Sequence, residues 1–164
     1  MNDDVAALFL DNSILELAGA VRTLTRCLER LTEEQVWSRG GAHENAVGNL
    51  LLHLSGNMRQ WLIHGVGGRP DVRTRDAEFA ATGGYTRAEL LALFQSTVDE
   101  ASPILRTVSA PHLFEIINPQ HGPVTVLYAI YHVVTHVHTH TGQVVLLTKQ
   151  MAGTDLDLTI PRPR

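Results

Sequence analysis

The segment HVVTHVHTHTGQ, residues 132–143, gathers four of the nine histidines in the chain. Imidazole is the commonest metal-ligating side chain and changes charge near neutral pH. A metal site and a pH-sensitive cluster are therefore the candidates, with coincidence as the plain alternative. On a helix, His132, His136 and His140 recur every four residues, each advancing about 40° around the axis and ~6 Å along it. His138 falls about 160° from both His136 and His140 and points elsewhere. An ion bound at about 2.0–2.1 Å cannot take His132 and His140 together, since they are ~12 Å apart along the axis. It can take 132/136 or 136/140, and spacing alone does not choose. Either pair is a two-point clamp that needs a further ligand from another helix.

That ligand is offered by NAVGNLLLHLSGNMRQW, residues 45–61. Asn49, His53, Asn57 and Gln60 share one stripe beside an apolar one. The stripe is polar but uncharged, whereas a solvated helix face carries Glu, Lys or Arg; only Arg59 intrudes nearby. It reads as the lining of a pocket with His53 at its centre, against the plain alternative of a hydrogen-bonded or half-exposed histidine. His43, His64, His112 and His121 lie in or near connections and read as surface residues, and Met58 and Trp61 as core.

Several chemistries have no residues to carry them. There is no Gly-rich phosphate cradle, no His-Glu-x-x-His, no Cys-x-x-Cys and no Gly-x-Ser-x-Gly. The second and fourth helices hold one acidic residue, Glu44, against an acidic di-metal bundle. No general base stands out, which suits a nucleophile activated by a metal.

The elements that must position these residues follow from periodicity. Apolar residues at three- and four-residue spacing predict helices over about 4–31, 45–63, 86–108 and 123–149. Thr86-x-x-Glu89 is a capping box opening the third. Pro103 is expected to kink that helix, and Pro123 suits the first position of the fourth. Residues 65–85 read as a long connection rich in Gly and charge, 114–117 as a short extended piece, and the tail after 152 as a loosely packed or extended end. The expected fold is all-α: a four-helix bundle with long connections, occupying residues 1–164 as one domain.

Composition agrees: of 164 residues, 44% are hydrophobic and 18% charged, enough apolar material for one sizeable core. The net charge of −4 leaves no basic footprint, so no nucleic-acid partner is expected. No apolar run approaches the ~20 residues that span a bilayer, and the acidic start is unlike a signal peptide; a cytoplasmic protein without membrane contact is expected. Cys27, the single cysteine, sits in an apolar helical run and reads as a small buried hydrophobe.

Taken together, NLLLHLSGNMRQWL on a second helix and HVVTHVHTHTGQVV on a fourth resemble the DinB-like superfamily of bacterial proteins, relatives of the thiol transferases that use bacillithiol or mycothiol. The resemblance covers most of the chain, and His-x-x-x-His-x-Gly-Gln is its most specific element. It implies a bundle holding a divalent ion on His53, His136 and His140, with Gly142 and Gln143 fixing the register and His132 left as lining. It also implies a homodimer. Many relatives carry a histidine where this chain has Thr139 and an acidic residue where it has Val137. Neither departure touches the clamp.

Three neutral imidazoles leave at least one open position, the arrangement of a catalytic zinc site. A divalent ion there lowers the pKa of a bound water or thiol towards neutrality. The expected activity is that of a thiol S-transferase, in which a low-molecular-weight thiol attacks a small electrophilic substrate oriented by Asn49, Asn57, Gln60 and His132. Zn or Ni is expected first, though imidazoles also accept Fe or Mn. The alternative is a non-catalytic metal- or small-molecule-binding stress-response module, whose metal would be closed off by a fourth protein ligand.

Overall fold

A computed structural model describes residues 2–120 and 122–158. Its long helices are α1 (Asp3–Leu28), α3 (Val47–Met58), α5 (Arg87–Arg106) and α6 (Val126–Ala152), with short helices α2 (Glu33–Trp37) and α4 (Arg75–Ala80) between them. The all-α bundle expected from periodicity is the fold observed. Among the described residues, no helix is long and apolar enough to cross a membrane.

Local chemistry sets the boundaries. α1 opens on Asn2, whose side chain accepts from the Asp4 N–H, and Asp3 and Asp4 oppose the positive end of the helix dipole. It ends at Leu28 rather than at 31, because Thr32 and Gln35 form a capping box that starts α2 instead. Thr86 and Glu89 cap α5 reciprocally, as their spacing predicts. Pro103 lies within α5, which continues through Arg106.

The fourth long helix departs from expectation at its start. Val124 and Thr125 (β2) pair antiparallel with Ile116 and Ile117 (β1), so these two residues are extended. Helix α6 then begins at Val126, capped by Thr125 Oγ1 accepting from the Tyr128 N–H at 3.1 Å. Pro123 consequently precedes the strand and is not the first helical residue. Gly153, at φ +63, ends α6 in the left-handed conformation that glycine adopts at no steric cost.

Beyond Met58 the helical path widens into a π-helical stretch, Arg59–Val66. The Gly67 N–H there reaches back five residues to the Leu62 carbonyl at 2.8 Å. Such stretches are rare and recur at functional sites.

The apolar stripes of the four long helices meet in one core, where Leu17, Leu24, Leu50, Leu54, Leu62, Phe94, Leu105 and Val133 are buried. Cys27 is buried as expected, and burial pushes its thiol pKa up. The tail is less loose than its sequence implies, since Leu156 packs into the core. His121 and residues 159–164, read above as surface and as an extended end, lie outside the described residues.

Candidate metal centre

Helices α3 and α6 run side by side and bring His53, His136 and His140 to one point. Each offers a ring nitrogen, and the three nitrogens lie within 4.8 Å of one another. His53 Nε2 is 2.9 Å from His136 Nε2. The rings meet edge to face, with centroids 4.4 Å apart for His136 and His140 and 5.2 Å for His53 and His140. His53 is buried and the other two half-buried. Of the two clamps that spacing leaves open, it is 136/140 that joins His53.

The remaining ring nitrogens determine which ones are free. His53 Nδ1 is 3.1 Å from Glu78 Oε2, and His140 Nδ1 is 2.6 Å from Gln143 Oε1. A carboxylate and an amide oxygen are acceptors, so both Nδ1 atoms carry protons and both Nε2 lone pairs are available. This is the arrangement by which metal-ligating histidines are oriented and made more basic. Without an ion, His136 must donate its Nε2–H to His53 Nε2. The Gln143 that marks the motif thus has a physical role, which is to fix the tautomer of His140.

Burial favours the neutral form of His136 and His140. His136 is held down to about 3, chiefly by burial and then by His140 and His53 beside it. Burial likewise lowers His140, against the opposing effect of the hydrogen bond it donates to Gln143, and lowers His132. Neutral imidazole is the form that ligates metal. Among the described residues no fourth His, Cys, Asp or Glu joins the three. The donor set therefore fits a divalent ion with a coordination position left for an exogenous ligand.

Glu78 is the functional residue that sequence reasoning missed. It lies on α4, inside the stretch read as a long connection rich in Gly and charge, and is buried. Arg73 Nε donates to Glu78 Oε1 at 2.7 Å, and Arg73 Nη2 donates to Oε2 at 2.8 Å, a bidentate pair whose guanidinium side chain is only 2% exposed. Burial pushes Glu78 up, but the bonds from Arg73 and His53 outweigh it and hold the carboxyl below its ordinary value. Gly56 makes room for this: a Cβ there would come within 1.9 Å of Glu78 Oε1. Glycine at that turn of α3, one turn past His53, was the available signal of a close approach.

The expected lining residues divide. Asn49 does not line a pocket. Its amide donates to the carbonyls of Glu78 and Ala81 at 2.9 and 2.8 Å, and its oxygen accepts the Ala46 N–H at 3.1 Å. It clasps α4 against the start of α3, helped by Arg39, which donates to the Phe79 and Ala81 carbonyls. Gln60 is spent on Asp71 and Arg73, at 2.8 and 3.0 Å, and supports the ion pair rather than facing a ligand. His132 borders the histidines, its ring 5.5 Å from that of His136, and Asn57 shares the face of α3 with His53. Asn57 is 4% exposed and its Oδ1 has no partner among the described residues, a deficit of about 1–3 kcal/mol. His138 points away, as its register requires, and pairs with Glu16 at 2.9 Å.

Comparison with known proteins places this geometry. A family model described as a protein of unknown function, DUF1572, matches residues 4–164. No curated sequence is significantly similar. Among solved structures, a DinB-like protein from Bacillus cereus is 18% identical at a TM-score of 0.69, with 95% of each chain covered. The DinB-like protein YjoA of Bacillus subtilis is 13% identical at a TM-score of 0.66, covering 88% of this chain and 94% of its own. A conserved protein from Enterococcus faecalis reaches a TM-score of 0.71 at 15% identity, covering 88% of this chain and 97% of its own. At these identities the likeness is one of fold.

Proposed function

The chain belongs to the DUF1572 family, and from that membership, its DinB-like fold and its histidine cluster we propose a divalent-metal-dependent enzyme of the thiol S-transferase type. The observation that carries the reading is the convergence of three imidazoles, two of them with Nδ1 engaged by Glu78 and Gln143 so that Nε2 is free. A divalent ion bound there supplies a Lewis acid that keeps a thiol, or failing that a water, ionised near neutral pH.

The chain's own residues do the rest. Glu78 fixes the tautomer of His53, and Arg73 keeps Glu78 ionised and in place. Burial keeps His136 uncharged, so no proton competes for its lone pair at neutral pH. The open edge at the half-buried His136 and His140 admits a low-molecular-weight thiol and its electrophile. Zn or Ni fits the three imidazoles, with Fe or Mn as alternatives. The same reading makes it a cytoplasmic homodimer, supported by the exposed apolar stripe of Val5, Leu8 and Leu15 on α1.

The test is metal content per chain by elemental analysis, on untagged wild type and on His53→Ala, His136→Ala and His140→Ala. Near-stoichiometric metal that falls in all three variants, with metal-dependent consumption of thiol in the presence of an electrophile, is the expected result. A folded protein that stays metal-free after divalent ions are supplied would sink it. Metal without thiol turnover would leave the binding module.

A further inference from the structure

Beside the three histidines lies an uncharged surface that their chemistry does not use. His132 sits one helical turn before His136, with the two rings nearly parallel, centroids 5.5 Å apart and planes at 16°. Tyr128 continues the ladder on the other side of His132, at 6.1 Å and 18°. From the opposite helix the Trp61 indole lies against His132, centroids 4.2 Å apart. Trp61 is fixed in turn by its Nε1–H, donated to Gln120 Oε1 at 3.3 Å.

Asn57 stands beside this surface. It follows His53 by four residues on α3 and shares its helix face, between His53 and Trp61 along the helix. It is a buried polar side chain whose Oδ1 finds no donor among the described residues. Buried acceptors are nearly always paired, and one left open beside a ligand site marks where a donor is to arrive.

The side chains that face this surface bring no fixed charge to it. Arg73 and Arg59 are paired with Glu78 and Glu100, and Asn57 and Trp61 offer no cation to a carboxylate or a phosphate. Four residues, ~6 Å along the axis, separate His132 from His136, so a group resting here is joined to the reacting atom through only a few bonds.

We propose that Asn57, Trp61 and His132 form the subsite for the organic part of the substrate: an uncharged planar group, amide or aryl, whose N–H or O–H is accepted by Asn57 Oδ1. This rests on the three histidines being metal ligands. Trp61 and His132 give the planar group an aromatic edge to pack on, and Asn57 selects groups that bring a donor.

The test uses the zinc-loaded protein and three thiols, each anchored by its sulfur at the ion: ethanethiol, 2-mercapto-N-phenylacetamide, and the analogue with CH2 in place of the amide N–H. Dissociation constants are measured by calorimetry. The anilide is expected to bind at least tenfold tighter than ethanethiol. The CH2 analogue is expected to lose about two- to tenfold, the worth of one hydrogen bond.

In Asn57→Leu the anilide and its analogue are expected to bind alike, with ethanethiol, which brings no donor, as the reference and zinc content as the check on the histidines. The melting temperature of that variant should hold or rise, because an unpaired amide has been removed. In His132→Leu the advantage of both aryl thiols should shrink. Equal binding of all three thiols by wild type overturns the subsite while leaving the metal reading intact, as does discrimination that survives Asn57→Leu. If zinc does not load and ethanethiol does not bind, the metal reading fails and takes the subsite with it.

Discussion

Replacing Glu78 by alanine is the perturbation that probes most of the site at once. Its carboxylate accepts from His53 Nδ1 and, twice, from Arg73, whose side chain is only 2% exposed. Removing one partner of a buried ion pair costs about 3–5 kcal/mol, because the other charge is left without compensation. A domain of this size carries roughly 5–15 kcal/mol in all, so the variant should fold but melt well below wild type.

The effect on metal should be larger than the loss of a supporting hydrogen bond alone. Arg73 Nη2 is also 3.1 Å from His53 Nδ1. With the carboxylate gone, that N–H donates to Nδ1 and drives the imidazole proton onto Nε2, the nitrogen the ion needs. An unneutralised guanidinium then also repels a second cation. Loss of an outer-shell partner lowers metal affinity roughly 10–100-fold, and Glu78→Ala should sit at the upper end.

Adding Arg73→Met removes both the misplaced donor and the stranded charge. The double variant should therefore regain most of the stability and about tenfold in affinity. The assays are chemical denaturation of the metal-free proteins and zinc competition against a chromophoric chelator. Affinity in Glu78→Ala within threefold of wild type would refute the reasoning. So would a double variant that binds zinc no better than Glu78→Ala.

Three further outcomes follow from the same geometry. Gly56→Ala should destabilise by about 1–3 kcal/mol, as overpacking does, and weaken zinc binding, although alanine favours helix by ~1 kcal/mol; thermal melts and the chelator assay check it. In the metal-free protein His136 is held at about 3, below the ordinary value near 6.5. The unfolded chain therefore binds the extra proton first, so stability is fully present above pH 6.5 and declines as pH falls towards 3; urea titrations of wild type and His136→Gln should show a steeper decline in wild type. Asn49→Ala should cost about 1–3 kcal/mol through the unpaired α4 carbonyls, and hydrogen exchange should show Ala77 and Ala81 opening sooner than in wild type.

What could be read from the chain was whatever depended on one helix at a time. His136 and His140 share a face because of α-helical spacing, and the apolar stripes that define the four long helices obey the same period. The choice between the two clamps was different, since it depends on where α3 crosses α6. Glu78 was illegible for a stronger reason. Its position depends on contacts with His53 and Gly56 from another helix as well as with Arg73 five residues before it, and a charged, Gly-rich stretch gives no periodic signal. Asn49 was misread because a buried clasp and a pocket lining demand the same uncharged polar residue. Pro123 misled for a similar reason: a proline that can open a helix can equally precede a strand, and β1 captured the residues that follow it.

The widened turn at Arg59–Val66 has a consequence for how this protein can be altered. A helix that takes more than 3.6 residues per turn holds a surplus residue in its wide turns. Before the stretch are His53 and Asn57; within it, Trp61 meets His132 while Ile63 and Val66 reach the core. Deleting one residue there and letting the backbone relax into an ordinary α-helix would leave the side chains beyond Val66 close to their present orientation. A deletion in α3 ahead of it has no such slack and would turn every later side chain by about 100°, taking the indole off the imidazole and Ile63 out of the interior. The stretch can thus absorb a one-residue change in length that the helix before it cannot.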